Sequence, residues 1–296
     1  MTIQHIITAR EKDLGGFSVR RLLPYSKQRM VGPWIFFDHM GPAEFPAGEG
    51  INVRPHPHIN LATVTYLFEG EILHRDSLGN HQLIRPGEIN LMVAGSGITH
   101  SERERDGVRN APHRQHGLQL WHALPEGHEE TPPAFYHYPS TDIPAVKIDG
   151  IAVRVLIGSA YGVTSPVVTF AETLYLEATL APGESLALPS VQEAALYVVD
   201  GEASVDGTLL QQYQMMTLEN CGGTAVTAVT ATTQKTQDTP ATRIALIGGE
   251  PLGERHIFWN FVSSRKERLE QAKRDWREGR FAKVHGDTVE FIPLPD

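Results

Sequence analysis

The stretch RPHPHINLATVTYLFEG, Arg54 to Gly70, sets His56 and His58 one residue apart at the head of a β-branched and aromatic run. In an extended strand alternate side chains share a face, so both imidazoles point one way and Pro57 points the other. Such a pair is either one side of a metal clip or two polar residues at a strand end. Two donors hold a divalent ion poorly, so the metal reading needs a third and a fourth from elsewhere. The segment IRPGEINLMVAGSGITHSERE offers them: His100 and Glu102 repeat the spacing, after Gly95 and Gly97, which allow close approach of the backbone. Three imidazoles and one carboxylate can hold Fe(II), and also Zn, Ni, Co, Mn or Cu, because these donors discriminate poorly among such ions. A lone H-x-H arises easily in a chain with 14 histidines. The longer pattern, H-P-H and then P-G, seven residues, G-x-G-x-x-H-x-E, is far more specific.

Positioning these donors is a task for strands. Most of the chain consists of short β-branched and aromatic runs punctuated by Gly, Pro, Asp and Asn, the grammar of an all-β sandwich or barrel. Ser77-Leu78-Gly79-Asn80 reads as a hairpin turn between two such runs. After Trp121 the alternation lapses into PEGHEETPPAFYHYPSTDIP, which predicts a connection between two halves, residues 1–130 and 131–296. ATVTYLFEGEILHRDSLG and AALYVVDGEASVDGTLL share a local pattern, suggesting a duplicated fold whose second copy lacks the histidines. TAVTAVTATTQKTQDTPATR reads as an edge strand followed by a loop. One helix closes the chain at about 263–279: Ser264 and Glu267 have capping-box spacing, Leu269, Ala272 and Trp276 fall on one face, and Gly279 supplies a stop.

The 296 residues are enough for one large or two ordinary domains, and a formal charge of −9 argues against direct nucleic-acid binding. The single cysteine, Cys221, forbids an intrachain disulfide, suits a reducing compartment and reads as a small buried hydrophobe. The amino-terminal residues have no secretory signal pattern and no segment reaches membrane-spanning length, so the expectation is a soluble, cytoplasmic protein.

PHPHINLATVTYLFEG, RPGEINLMVAGSGITHSE, HGLQLW and the upstream GPWIFFDHMGP resemble the pirin family of bicupin proteins, most closely from Val19 to Trp121. The resemblance implies two stacked antiparallel β-barrel (cupin) domains with one divalent metal, Fe(II) foremost, in the amino-terminal one and none in the other. Matched motif to motif, the ligands become His56, His58, His100 and Glu102. Many pirins keep a glutamate where this chain has Ala62; its absence removes an acid from beside the site without costing a ligand.

Four protein ligands on an ion that accepts five or six leave room for water, O2 or a chelating substrate. The resemblance implies a dioxygenase of the quercetin 2,3-dioxygenase type. In such an enzyme a flavonol binds the metal through its deprotonated hydroxyl and O2 cleaves the heterocycle, with Glu102 the candidate base. A second function class is a non-enzymatic metal-bearing regulator that binds a transcription factor or a metabolic enzyme. A zinc hydrolase ranks below both, for want of a separate base and oxyanion donor. His113 and His116 are candidates for the pocket mouth, with solvated loop histidines the stronger reading. Asp38 and His39 read as residues that orient a turn or strand. Gly95, Gly97 and Ile98 open no dinucleotide loop, because no helical pattern follows.

Overall fold

The computed structural model describes residues 1–229 and 241–295, which form two compact units that interleave along the chain. One comprises Met1–Arg10, Leu22–Trp34 and Thr141–Pro251, the other Glu11–Arg21, Ile35–Ser140 and Leu252–Asp296. Antiparallel strands dominate both, as the punctuation of the sequence suggests, and each unit has an open sheet of seven strands, one of four and a two-stranded ladder.

In the first unit the seven-stranded sheet runs in the order Thr2–Thr8, Gln214–Glu219, Glu193–Asp200, Thr242–Gly249, Thr173–Leu180, Ile151–Ile157, Ala145–Ile148. Its apolar face, with Val153, Leu176, Leu196 and Leu246, packs in one core with Val205 and Val226 of a four-stranded sheet. Cys221 is buried in this core. The Thr/Val-rich stretch forms a strand, Ala225–Ala228, but not at an edge: it pairs with both Ser185–Ala187 and Ala203–Val205. Val226 and Ala228 are buried on its inner face; such alternation marks a strand with one buried face and does not by itself tell an edge from an interior position. The predicted loop after it, residues 230–240, lies outside the described residues.

The second unit carries the histidines. Its larger sheet runs Ala134–Tyr138, Ile89–Val93, Leu61–Glu69, His113–Ala123, Trp34–Phe45, Ser18–Leu23, Arg10–Asp13. Its smaller sheet runs Asn52–His58, Ile98–Arg103, Ile72–Asp76, His81–Ile84. Ser77–Asn80 make the turn of the hairpin between Ile72–Asp76 and His81–Ile84, with the Asp76 carboxylate accepting from the Leu78 and Asn80 amides at 2.9 and 3.0 Å.

The closing helix, Lys266–Arg277, seats Leu269 and Ala272 against Ile59 and Phe261, so the segment 252–296 packs in the histidine-bearing unit. Gly279 follows in the left-handed conformation (φ 67°) and ends the helix as expected. The capping box does not form. The N-cap is Arg265, without a side-chain cap, and the Ser264 hydroxyl donates instead to Glu129 Oε2 at 3.0 Å. Among the described residues no helix is long and apolar enough to cross a membrane.

Candidate metal centre

The smaller sheet of the second unit brings the chemistry together by register. His100 lies opposite His56 on one side and Asp76 on the other, and Glu102 lies opposite Val53 and His74. Because i and i+2 share a face, the pairs His56/His58, His100/Glu102 and His74/Asp76 all project from one side of the sheet. A bulge in the Asn52–His58 strand, between the His56 and Val53 rungs, shifts the register by one residue. Pro55 and Pro57 have no N–H to give a ladder, and they are tolerated because this strand is the sheet edge.

His56, His58 and His100 are buried, and one ring nitrogen of each lies within 4.8 Å of the others. The Nδ1 atoms are committed elsewhere: His56 Nδ1 donates to the Arg54 carbonyl at 2.8 Å and His58 Nδ1 to the Asn260 carbonyl at 3.1 Å. A carbonyl oxygen only accepts, so in the neutral rings Nε2 carries the lone pair. His100 Nδ1 lies 3.4 Å from His74 Nδ1, and His100 Nε2 is buried with no hydrogen-bond partner among the described residues. Burial holds all three imidazoles below their ordinary value, His58 and His100 well below it, which keeps them neutral near pH 7. Three neutral rings around an orphaned buried nitrogen fit a cation that accepts imidazole nitrogen.

Glu102 stands beside this cluster but outside the group of mutually close donors. Its carboxylate accepts from Gln119 Nε2 at 2.7 and 2.9 Å and from Thr65 Oγ1 at 3.4 Å. His56, Glu102 and Gln119 line a cavity of about 240 Å³ whose other walls include Phe36, Met40 and Trp121. Phe36 and Trp121 stack face to face with centroids 3.8 Å apart, and the Arg21 guanidinium sits 4.4 Å above the Phe36 ring while donating twice to Asp38 at 2.8 Å.

Of the other sequence candidates, His39, His113 and His116 lie apart from this cavity. His113 is neither solvated nor at its mouth: its Nε2 meets Glu104 Oε2 at 3.0 Å. His116 is buried, with Nε2 2.7 Å from Nε2 of His39. Asp38 holds Arg21, consistent with an orienting role, and is itself among the residues that line the cavity.

Two family profiles match the chain, pirin over residues 16–122 and the pirin C-terminal cupin domain over 175–282. A pirin-like protein of Caulobacter vibrioides is 46% identical over 298 residues, covering 99% of this chain and 100% of that protein. The chain belongs to the pirin family. A pirin-like protein of Solanum lycopersicum is 30% identical, with 95% of this chain and 92% of that one covered. A crystal structure of quercetin 2,3-dioxygenase from Acinetobacter baumannii superposes with a TM-score of 0.89 at 35% identity, covering 99% of this chain and 95% of the other.

In this pirin the sequence reading passed over Gln119, Arg21 and the His74/Asp76 pair. Gln119 and Arg21 gave no signal, since a glutamine and an arginine on strands have no spacing to match. His74-x-Asp76 repeats the one-residue spacing of the two recognised pairs and could have been found by it.

Proposed function

We propose that the protein is a metal-dependent dioxygenase of the quercetin 2,3-dioxygenase type, with His56, His58, His100 and Glu102 holding one divalent ion, Fe(II) foremost. The observation that carries this is the set of three buried imidazoles, each offering a ring nitrogen within 4.8 Å of the others, next to Glu102 on a cavity wall. The 35% identity to a solved quercetin 2,3-dioxygenase over nearly the whole chain supports the choice of reaction. A bound divalent ion would supply Lewis acidity and vacant positions for a substrate oxygen and O2.

The chain's own groups account for the rest. The Phe36/Trp121 stack gives the cavity a flat aromatic wall, suited to a planar phenolic molecule such as a flavonol. Glu102 receives the proton of the substrate hydroxyl. Gln119, donating to both of its oxygens, keeps the carboxylate turned toward the cavity. Dioxygen is the oxidant and both its atoms enter product, so no separate reductant is needed.

Anaerobic reconstitution with Fe(II), followed by O2 uptake and loss of the flavonol absorbance band, tests the reading. Turnover abolished by His58→Ala and by Glu102→Ala is the expected result. A filled metal site without turnover over a broad phenolic panel would replace this reading with the regulator, whose partner would then be a protein.

A further inference from the structure

We propose that Asp76 and His74 form a relay that fixes which nitrogen of His100 is bare and gives that imidazole, alone of the three, a carboxylate behind it. The inference rests on the metal reading above and adds to it two positioning residues that reach the ion only through His100.

The hydrogen-bond directions follow from one end. Asp76 is fully buried and ringed by donors: Oδ1 accepts from Leu78 N at 2.9 Å, Asn80 N at 3.0 Å and Asn80 Nδ2 at 3.1 Å, and Oδ2 accepts from Asn80 Nδ2 at 2.9 Å. A carboxylate so surrounded acts as an acceptor, so the 2.9 Å contact between His74 Nε2 and Asp76 Oδ2 puts a proton on His74 Nε2. In the neutral ring His74 Nδ1 then carries the lone pair. His100 Nδ1, 3.4 Å away, must donate to it, which leaves His100 Nε2 bare. That nitrogen is buried and has no hydrogen-bond partner among the described residues. The His74 ring plane is itself held by stacking on Phe135, with centroids 4.3 Å apart at 21°.

His56 and His58 donate to peptide carbonyls, which are neutral acceptors. An imidazole polarised by a buried carboxylate is a stronger acceptor and makes the ring that donates to it the more basic ligand. The three imidazoles are therefore unequal, and His100 is the one through which the protein sets the charge felt by the ion. The register explains why the relay sits here: Asp76 is the rung neighbour of His100, and His74 that of Glu102, on the same sheet face.

The test uses the full-length chain, labelled with ¹⁵N and free of metal, in long-range ¹H–¹⁵N spectra that report imidazole tautomers directly. Expected are the Nδ1–H form for His100 and the opposite Nε2–H form for His74. Co(II) affinity, measured by competition with a chelator, should fall about 10- to 100-fold in His74→Phe, which removes the acceptor and keeps the ring stack. Asp76→Asn presents an amide that can donate to His74 and should drive both rings to the other tautomer in the metal-free protein, so that His100 Nε2 carries a proton that Co(II) must displace and the Co(II) affinity falls. An Nε2–H tautomer for His100 in the wild type, or a His74→Phe protein that binds Co(II) within twofold of wild type, would overturn the relay. If Asp76→Asn fails to fold, those two measurements still decide it. The two readings fail separately: Co(II) binding with the expected tautomers but no flavonol oxidation overturns only the dioxygenase, and the wrong tautomer in an active enzyme overturns only the relay.

Discussion

Glu129→Ala should be among the most damaging single changes in the histidine-bearing unit. Glu129 is 1% exposed, and its carboxylate accepts from Ser263 Oγ at 3.1 Å, Ser264 N at 2.7 Å and Ser264 Oγ at 3.0 Å. Arg255 Nε lies 3.3 Å away in a buried ion pair. Removing one partner of such a pair costs about 3–5 kcal/mol, because the other charge is left in a poorly solvating interior. Arg255 would keep its carbonyl acceptors on Leu124, Leu252 and Glu254, at 3.1, 2.9 and 3.1 Å, so the lower end, about 3 kcal/mol, is the reasoned value. For a unit of this size that corresponds to a fall in Tm of about 6–12 °C. The consequence reaches the site, because the tethered segment includes Asn260, whose carbonyl holds His58 Nδ1 at 3.1 Å. Urea unfolding monitored by tryptophan fluorescence gives the stability, and Co(II) competition gives the effect on the imidazoles. Glu129→Ala within about 1 kcal/mol of wild type, or with unaltered Co(II) affinity, would refute the reasoning that this pair anchors the segment.

Gln119→Leu deprives Glu102 of both donations from one amide; a hydrogen bond to a charged group is worth about 1.5–3 kcal/mol, so kcat/KM for flavonol oxidation should fall about 10- to 150-fold. An unchanged kcat/KM in oxygen-uptake assays would contradict that role. Gly95→Ala should destabilise by about 2–3 kcal/mol in denaturant unfolding, since φ is 49° and a Cβ would stand 2.0 Å from the Thr131 carbonyl oxygen. Asp287 titrates below its ordinary range: burial pushes it up, but the donations from Arg103, at 2.6 and 3.0 Å, more than offset this. A carboxyl depressed in the folded state contributes stability above its unfolded pKa of about 3.9 and loses it as pH falls through the folded value. The stability gap between wild type and Asp287→Asn should accordingly be full at pH 7 and close below about pH 4, as followed by unfolding across that range.

The site was more legible in the sequence than the frame that holds it. His56/His58 and His100/Glu102 could be read because strand geometry turns a one-residue spacing into a shared face, and the structure sets those strands side by side. The same rule covers His74/Asp76. The pair went unread because a histidine and an aspartate at the end of a hairpin strand are ordinary turn chemistry, and Asp76 does that job as well. What sequence patterns missed depends on contacts far apart along the chain. Ser264 failed as a cap because Glu129, distant in sequence, takes its hydroxyl. The two interleaved units could not be inferred from a linear boundary, since the apolar face of the closing helix has its partner in Ile59 beside the histidine strand. His113 and His116 looked like loop residues until strand His113–Ala123 placed them against Glu104 and His39.

X-ray absorption on the Fe(II)-reconstituted protein reads the coordination sphere itself. The account predicts one ion per chain, surrounded by three imidazole nitrogens and one carboxylate oxygen, with at least one further light-atom position that exchanges when a flavonol is added. Fewer than three imidazoles, or a sphere filled by protein donors that does not respond to flavonol, would contradict it.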